Sequence, residues 1–586
     1  MSKSPKRRSR RRIKRFPDNK PTVMDFFCGA GGFSEGFRQK GFEIVLGIDN
    51  WEPATKTFNH NFGLACNPRD ILDHEGPLKK IEELPDTDVI VGSPPCVSFS
   101  MSNKFGNADK ALGIRLVKVF LRIVAVKKYK RGSKLKAWYM ENVPQTFKYL
   151  KPRYSFRDLS LSEWAEQNGY QPKDIAVTIK GHHKVIDAAD YGVPQHRKRL
   201  FVGEIVRRKS HPFPGTIHSG LHSRKGIKDH VTLRVVREGF PSPYNKKSRA
   251  KIRDPNYPTI SLPQLKVTDH FYDTGVHEIY WRDNRYKKLN HPYMGRMSFP
   301  ERLDKSSRTV VATNFPRARE SLIYECELQR RGNGQYRTPT VREAAVLMSF
   351  PITYQFSGVE STKWKLVGNA VCPLVSAALA TRVREVLGLT RIRKPRLVKE
   401  PILEGVHNLN TYRTKRFLAV PLRNKGSRFR RHPFKDGNMA VSLTNYDIEA
   451  SKNGIAGWRV TVTYGIGKGF GVQRIDGRQL NKLERVIRDN FPDGQKFVKR
   501  INNGFSEMIA PGKALQMMYE QHRRMGQYYG PVELIAMVAK LANKYGKHET
   551  YNQDGTKIFR KDTVPKKQLY ALYAMTKIAT IANNSR

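Results

Sequence analysis

The sequence predicts an α/β protein with a doubly wound, mostly parallel sheet, a small irregular domain in the middle and a C-terminal α+β domain. Short apolar segments alternate with helical patterns in the first 200 residues, which is the order of strands and crossover helices in a parallel sheet. A glycine cluster, Cys28-Gly-Ala-Gly-Gly32, follows the first apolar segment. Polar residues stand where several segments end, and open α/β sheets bind ligands at such strand ends.

Each element is predicted from its own periodicity. Apolar runs predict strands at residues 22–27, 43–49, 88–91, 137–140 and 200–202. Apolar residues spaced three and four apart predict helices at residues 33–40, 108–128, 340–348 and 368–387. The last third has two predicted strands, at 439–445 and 458–464, and three predicted helices, at 480–491, 531–545 and 567–582.

Composition divides the chain into domains. Residues 1–20 are expected to form a disordered basic arm, and residues 21–204 the first part of the α/β domain. Residues 205–335 are rich in His, Pro, Tyr, Arg and Lys and form the irregular region, whereas residues 336–390 return to the α/β domain and complete it. Residues 388–400 are interpreted as a basic linker, and residues 401–586 as a separate domain.

Charge points to a polyanionic partner. The chain of 586 residues carries 107 Lys and Arg against 52 Asp and Glu, a net charge of +55. Such an excess destabilises a compact fold by self-repulsion unless a partner offsets it, so nucleic acid is the first partner to consider and an anionic membrane surface the second. A solvated basic surface is the alternative. The hydrophobic content of 39% excludes wholesale disorder.

Other features limit the compartment and the chemistry. The five cysteines form no CxxC pair, which favours a reduced intracellular compartment over a disulfide framework, and we predict no metal site. The sequence contains no run of about 18 apolar residues, so no membrane helix is predicted. Residues 3–15 lack the apolar core of a secretory signal, and they are interpreted as an arm that lies along phosphates or as a nuclear address.

Three features at the first strands are typical of a cofactor site. The glycine turn lets the backbone approach a ligand closely, although a purely structural turn explains it equally well. Asp49 ends the second strand, where an acid can bind ribose hydroxyls, and Trp51 offers an aromatic face to a purine. Taken alone, a surface Asp and a core Trp explain these two residues as well. Asp70 follows a third segment.

Three later motifs carry chemistry. Cys96 follows a strand in a loop stiffened by two prolines, which makes it a candidate nucleophile, with an inert buried thiol as the alternative. Glu141 ends the next strand and could act as an acid or hydrogen-bond partner. Arg197 and Arg199 alternate along an extended segment and share one side of it, which suits a phosphate or a base edge, although a solvated basic run competes with this interpretation.

Together these motifs resemble the DNA cytosine-5 methyltransferases. The matching segments are residues 25–33, 48–51, 70–71, 94–96, 141–143, 195–199, 340–344 and 368–371. The resemblance covers residues 21–390, and the joint order and spacing are much more specific than any one segment. It implies a Rossmann-like methyltransferase fold that transfers a methyl group from S-adenosylmethionine to carbon 5 of a cytosine flipped out of double-stranded DNA.

The resemblance also implies roles for single residues. The residues implied to hold S-adenosylmethionine are Phe27, Gly29, Gly31, Gly32, Asp49, Trp51, Asp70 and Asn369. Among them the glycine turn would hold the methionine part, Asp49 the ribose, Trp51 and Asp70 the adenine, and Asn369 would close the pocket. The implied catalytic residues are Cys96 as the nucleophile, Glu141 at N3 of the base, and Arg197 and Arg199 at the base edge and flanking phosphate. Contacts with DNA are expected from Ser100, Gln195, Arg197 and Arg199.

Some expectations go beyond the common motifs. Val97 stands where the family often has Gln, and residues 205–335 occupy the place of the family's target-recognition segment. Residues 401–586 match no family known to us, and we favour a basic DNA-holding domain over a fused restriction nuclease. A non-catalytic DNA-binding protein and an enzyme acting on RNA are two competing hypotheses. We expect a monomer on DNA, without a membrane, in the cytoplasm of a prokaryotic or virus-infected cell, or in the nucleus of a eukaryote.

Overall fold

The computed structural model divides the chain into two compact units. It describes residues 20–95, 110–220, 226–245, 250–289, 297–417, 431–436, 439–446, 457–464, 472–475, 479–521, 524–546, 549–553, 558–559 and 561–584. The first unit ends at residue 417 and the second covers residues 418–586.

The first unit contains a six-stranded sheet. Its strands are β1 Thr22–Phe26, β2 Glu43–Ile48, β3 Val89–Gly92, β4 Ala137–Asn142, β7 His183–Asp187 and β8 Lys198–Ile205. They lie in the order β2-β1-β3-β4-β8-β7. The first four are mutually parallel, and β8 runs antiparallel to both of its neighbours, β4 and β7. Between β4 and β7, strands β5 Arg153–Ser155 and β6 Ile175–Thr178 form a small separate antiparallel pair. The mostly parallel sheet confirms the predicted fold class.

Helices cover both faces of this sheet, as the doubly wound prediction requires. The helices of the first unit are α1 Gly32–Gln39, α2 Glu52–Phe62, α3 Lys79–Glu82, α4 Lys110–Tyr129, α5 Ser162–Gln167, α6 Leu233–Gly239, α7 Glu278–Leu289, α8 Val341–Leu347, α9 Glu360–Asn369 and α10 Pro373–Val386. Side chains alternate along each strand, so Val89 and Val91 belong to the core that α1 and α10 complete, whereas Ile90 belongs to the core under α4.

The middle of the first unit has short strands and few helices. Its strands are β9 His218–Ser219, β10 Lys228–Asp229, β11 Lys251–Arg253, β12 Ser261–Pro263, β13 Tyr324–Glu325 and β14 Tyr336–Arg337. Residues 401–417, which composition had grouped with the C-terminal domain, lie in the first unit. The Asn410 side chain accepts hydrogen bonds from the backbone of His270 (2.9 Å) and Phe271 (2.8 Å) and so attaches this segment to the middle region.

The second unit is an α+β domain. Its elements are β15 Arg431–Asp436, β16 Met439–Tyr446, β17 Gly457–Tyr464, β18 Val472–Ile475, α11 Leu480–Asn490, α12 Gly494–Arg500, α13 Gly512–Gln521, α14 Pro531–Gly546, β19 Thr550–Asn552, β20 Thr563–Pro565 and α15 Lys566–Asn584. Strands β15 to β18 form an antiparallel sheet in sequence order. Helix α15 packs across β16 and β17, and buried residues of both surfaces form one core.

Among the residues that the structure describes, one helical stretch is long and apolar enough to cross a membrane by length and composition. It comprises residues 360–386, that is, α9, α10 and the three residues between them. Of its most apolar window, 72% is buried inside the protein. Burial of this kind is typical of the core helix of a folded domain.

Candidate active site

The glycine turn follows β1 and leads into α1. Gly29 and Gly31 both have positive φ, at 52° and 79°, a region that glycine adopts without strain. A Cβ atom at Gly31 would lie 2.6 Å from the Phe62 ring, and one at Gly32 would lie 2.1 Å from the carbonyl oxygen of Val371. A Cβ atom at Gly29 would lie 3.9 Å from its nearest neighbour, the carbonyl oxygen of Phe27. Gly31 and Gly32 are therefore required by packing, and Gly29 is the one of the three whose backbone borders open space.

Asp49 is fixed against this turn. One of its carboxylate oxygens accepts a hydrogen bond from the backbone N–H of Gly29 (2.9 Å), and the other accepts one from the N–H of Trp51 (2.9 Å). Burial raises the pKa of Asp49, while these bonds and the nearby Lys365 ammonium oppose that shift. Each oxygen keeps a lone pair beyond these bonds, so the carboxylate is held in one orientation and can still accept from a ligand.

A pocket of about 450 Å³ opens at the carboxyl ends of β1 and β2. It is lined by Phe27, Ile48, Asp49, Asn50, Arg69, Asp70, Ile71, Leu72, Pro95, Leu112 and Leu116. Its walls are mostly apolar and its polar groups lie together, which is the usual composition of a small-molecule site. Asp70 accepts hydrogen bonds from the Leu72 backbone N–H (2.9 Å) and the Asn50 amide (3.3 Å).

A second site lies at the end of β4. Glu141 is buried there, and its carboxylate is 3.1 Å from Nε of Arg199. Burial raises the pKa of Glu141, and the guanidinium groups of Arg199 and Arg197 oppose this shift. These three side chains line a pocket of about 220 Å³ together with Phe201 and Cys372, among others. The pocket therefore combines a buried carboxyl group whose pKa is raised with two guanidinium groups.

Asn142 connects this end of β4 with the loop that leads to Cys96. Its amide nitrogen donates to the carbonyl of Pro94 (3.1 Å), and its oxygen accepts from the Thr146 hydroxyl (2.7 Å) and from the backbone N–H of Val143 (2.8 Å). The start of the Pro-Pro loop is therefore tied to the strand that carries Glu141. Cys96 itself and Ser100 lie outside the described residues.

Arg197 is bound inside the protein. Its guanidinium donates hydrogen bonds to the carbonyls of Val310 (3.2 Å), Gly368 (2.9 Å) and Ala370 (3.1 Å). Only 4% of Arg197 is exposed. These bonds fix the position of Arg197 next to Glu141 and Arg199. The expected contact of Arg197 with a flanking phosphate would require these hydrogen bonds to break.

Gln195 is buried as well, which differs from the expected contact with DNA. Its amide nitrogen donates to the Leu347 carbonyl (3.1 Å) and contacts the Met348 sulfur (3.1 Å), and its oxygen accepts from the backbone N–H of Val310 (2.7 Å). The alternation predicted for this segment is present, because residues 195, 197 and 199 share one side. That side faces the protein interior, while His196 and Lys198 are exposed.

Known proteins are similar to the first unit of this chain. The family model described as C-5 cytosine-specific DNA methylase matches residues 21–385. The chain belongs to this family. The methyltransferase is 28% identical over 386 residues to the type II methyltransferase M.MthTI of Methanothermobacter thermautotrophicus, an alignment that covers 62% of this chain and 97% of the relative. It is 32% identical to M.AgeI of Thalassovita gelatinovora, with 62% and 99% covered. The solved structure of the S. pombe Dnmt2 methyltransferase matches 63% of this chain and all of that chain, with 15% identity and a TM-score of 0.39.

Some of the predicted cofactor residues line the larger pocket of the methyltransferase, and others are not part of that lining. Phe27, Asp49 and Asp70 line the 450 Å³ pocket. Trp51 is not among the lining residues; its ring lies 4.2 Å from the Lys365 ammonium. Asn369 is an exposed residue at the end of α9 and is also not part of that lining.

Several residues that line the larger pocket were not predicted from the sequence. Asn50, Arg69 and Ile71 adjoin predicted residues in sequence, so proximity was the available signal. Leu112 and Leu116 belong to one apolar face of the predicted helix 108–128, but the sequence did not indicate that both border the pocket or that Leu112 is 40% exposed. Within the described residues, no group of three or more His, Cys, Asp or Glu side chains is arranged to hold a metal ion.

Proposed function

We propose that this methyltransferase transfers a methyl group from S-adenosylmethionine to carbon 5 of a cytosine flipped out of duplex DNA, as the modification enzyme of a restriction–modification system. The observation that carries the proposal is the buried Glu141–Arg199 pair at the end of β4, in the same sheet whose β1 and β2 ends border the larger pocket. The relatives named type II methyltransferases support the biological setting. We further infer that it acts as a monomer on DNA and, in a microbial cell, in the cytoplasm.

The residues of the larger pocket fit the proposed cofactor. The free lone pairs of Asp49 suit ribose hydroxyls, and the open backbone at Gly29 leaves room for the adjoining chain of the cofactor. Ile71 and Leu116 provide apolar walls for a purine, and Asp70 an acceptor for its amino group. When bound there, S-adenosylmethionine supplies the electrophilic methyl group. Asn50 is part of this lining, next in sequence to Trp51, which the family resemblance assigns to the adenine.

The chain's own residues account for activation of the base. The Cys96 thiolate adds to carbon 6 of cytosine, which forms a C–S bond and makes carbon 5 nucleophilic. Glu141 in its protonated form donates to N3 and so stabilises the charge that this addition places on the ring. The raised pKa of Glu141 favours that form. After methyl transfer, loss of the carbon 5 proton and elimination break the C–S bond and release the thiolate.

Covalent trapping tests this proposal. Duplexes that contain 5-fluorocytosine cannot lose a proton from carbon 5, so the wild-type chain should remain bonded to them when S-adenosylmethionine is present. Cys96→Ser should form no adduct while it still binds the duplex. Bisulfite sequencing of DNA from expressing cells reports the modified base and its sequence context. If no adduct and no methylated cytosine appear with the wild-type chain, the proposal is wrong, and cleavage of plasmid with a divalent metal alone would favour a fused nuclease.

A further inference from the structure

A compact helical hairpin stands on the surface of the second unit. Helices α11 and α12 are separated by only three residues, 491–493. They pack so closely that a Cβ atom at Gly494 would lie 1.8 Å from the carbonyl oxygen of Ile487. The inner side chains, among them Leu483, Phe497 and Val498, belong to the core of this unit. The hairpin therefore has one fixed orientation, with its apolar side turned inward.

The outer side of this hairpin is basic. Its exposed cations are Lys482, Arg485, Arg488, Lys496, Lys499 and Arg500. Arg488 pairs with Glu484 at 2.6 Å, and Lys496 lies 3.4 Å from Asp493. In the part of the chain that the structure describes, Lys482, Arg485, Lys499 and Arg500 make no ion pair, and we call these four residues the basic face.

The basic face differs from the other exposed helix surfaces of the same unit. Helix α14 exposes Lys540 and Lys544, but also Val532 (59% exposed) and Glu533. Helix α15 is buried along most of its length. Residues 418–586 as a whole carry 30 Lys and Arg against 13 Asp and Glu. The hairpin exposes six of these cations beside only three acids, Glu484, Asp489 and Asp493. Its excess of positive charge is self-repulsive until an anion binds.

We propose that the basic face binds the phosphate backbone of duplex DNA, independently of base sequence. The proposal rests on the proposed function insofar as DNA is the substrate that this second contact would retain. A membrane surface fits less well, because an interfacial helix needs an apolar side free to enter the lipid, whereas Leu483, Val486 and Ile487 of α11 are all buried. Long cationic side chains on two neighbouring helices suit contacts with several phosphates, which position a protein on DNA without reading its sequence.

The test compares two variants of the full chain that lose the same number of charges. The face variant carries Lys482→Gln, Arg485→Gln, Lys499→Gln and Arg500→Gln. The control carries Lys513→Gln, Lys540→Gln, Lys544→Gln and Lys561→Gln, at four exposed lysines elsewhere in the second unit. Circular dichroism and thermal melting establish that both variants fold as the wild type does.

Binding to a fluorescein-labelled 30-base-pair duplex is measured by anisotropy over a series of salt concentrations. Each neutralised phosphate contributes about 0.9 to the slope of log K against log salt. Loss of four contacts should therefore make this slope shallower by about 3.6 and weaken binding about 10-fold or more at moderate salt. The control should change the slope by about 1 or less. Equal behaviour of the two variants would overturn the proposal, since the effect would then follow total charge.

Two further measurements are needed. The first tests the proposed function independently of the basic face, and the second tests whether the basic face prefers DNA to other polyanions. The rate of methyl transfer at saturating DNA should be the same in the face variant and the wild type. If the wild-type chain binds DNA but methylates nothing, the proposed function is wrong, while the proposal for the basic face still stands. Anisotropy with an RNA duplex of equal length, and flotation with vesicles containing phosphatidylserine, test the other polyanions. A face variant that loses RNA or vesicle binding but keeps its affinity for DNA would refute the choice of partner.

Discussion

Asp25→Asn should change how the stability of the first unit depends on pH. Asp25 lies on β1, is 1% exposed, and accepts a hydrogen bond of 2.7 Å from the Ser34 hydroxyl through one oxygen. Its other oxygen has no hydrogen-bond partner among the described residues. Burial raises the pKa of Asp25 from 3.8 to about 7, against the opposing effect of Ser34. The native state therefore holds a proton at pH values where the unfolded chain has released it.

The magnitude and sign of the effect follow from these two pKa values. The contribution of the protonated acid is fully present below about pH 4 and is lost as pH rises to about 7, because only the native state binds the proton in that interval. The loss is about 1.4 kcal/mol per pH unit, or about 4 kcal/mol in all. Asn keeps an acceptor for Ser34 and cannot ionise, so the free energy of unfolding of Asp25→Asn should rise relative to wild type as pH increases from 4 to 7.

Urea unfolding at half-unit steps from pH 4.5 to pH 8.5 measures this difference, because the shift in midpoint multiplied by the slope of the transition gives the change in free energy. Ser34→Ala provides a second test. Because this variant lacks the hydrogen bond from Ser34 to the charged carboxylate, the pKa of Asp25 should rise further. The free energy of unfolding should then keep falling as pH increases above 7. A difference between Asp25→Asn and wild type that stays constant from pH 4.5 to pH 7.5 would contradict the reasoning.

Three further predictions concern the two pockets. Glu141→Gln should lower the single-turnover rate of methyl transfer by about 100- to 10,000-fold and leave binding of S-adenosylhomocysteine by calorimetry unchanged; a wild-type rate would remove Glu141 from the chemistry. Gly31→Ala should lower the free energy of unfolding, measured with urea, by about 1–3 kcal/mol, because its Cβ meets the Phe62 ring and its φ is positive. An unchanged free energy of unfolding would mean that α2 moves to accommodate the added methyl group. Asn50→Ala should weaken binding of the same ligand more than Trp51→Phe does, and the reverse order would return Trp51 to the adenine contact.

Local periodicity was sufficient for most of the parallel sheet. The predicted strand 43–49 and helix 108–128 agree with β2 and α4 to within about two residues at each end, because their apolar patterns are regular over the whole element. Helices α2 and α9 were not predicted, since Glu52–Phe62 mixes small, polar and aromatic residues without a clear stripe. The segment 368–371 ends α9 and precedes α10, whereas it was expected to enter a single helix.

The sequence did not predict which side chains of the candidate site face the protein interior and which line a pocket. Alternation correctly placed Arg197 and Arg199 on one side of an extended segment, but a period of two does not say which side faces solvent. That depends on acceptors far away in the sequence, at Val310 and Gly368. In the same way, Leu112 was recognised as apolar, while its position at a pocket mouth depends on how α4 packs against the strand ends.

These contacts give Arg197 the function of a positioning residue. Arg197 directly precedes strand β8, and its guanidinium binds the chain at Val310 and the C-terminal end of α9 at Gly368 and Ala370. These acceptors all lie more than 100 residues from Arg197 in the sequence. Arg199, two residues further along β8, pairs with Glu141. A substitution at Arg197 therefore leaves three buried carbonyls without their donor, which costs more than the hydrogen bonds themselves are worth, and it also loosens the strand that presents Arg199. Loss of activity at position 197 would thus appear together with loss of stability, whereas loss at Glu141 would leave the fold intact.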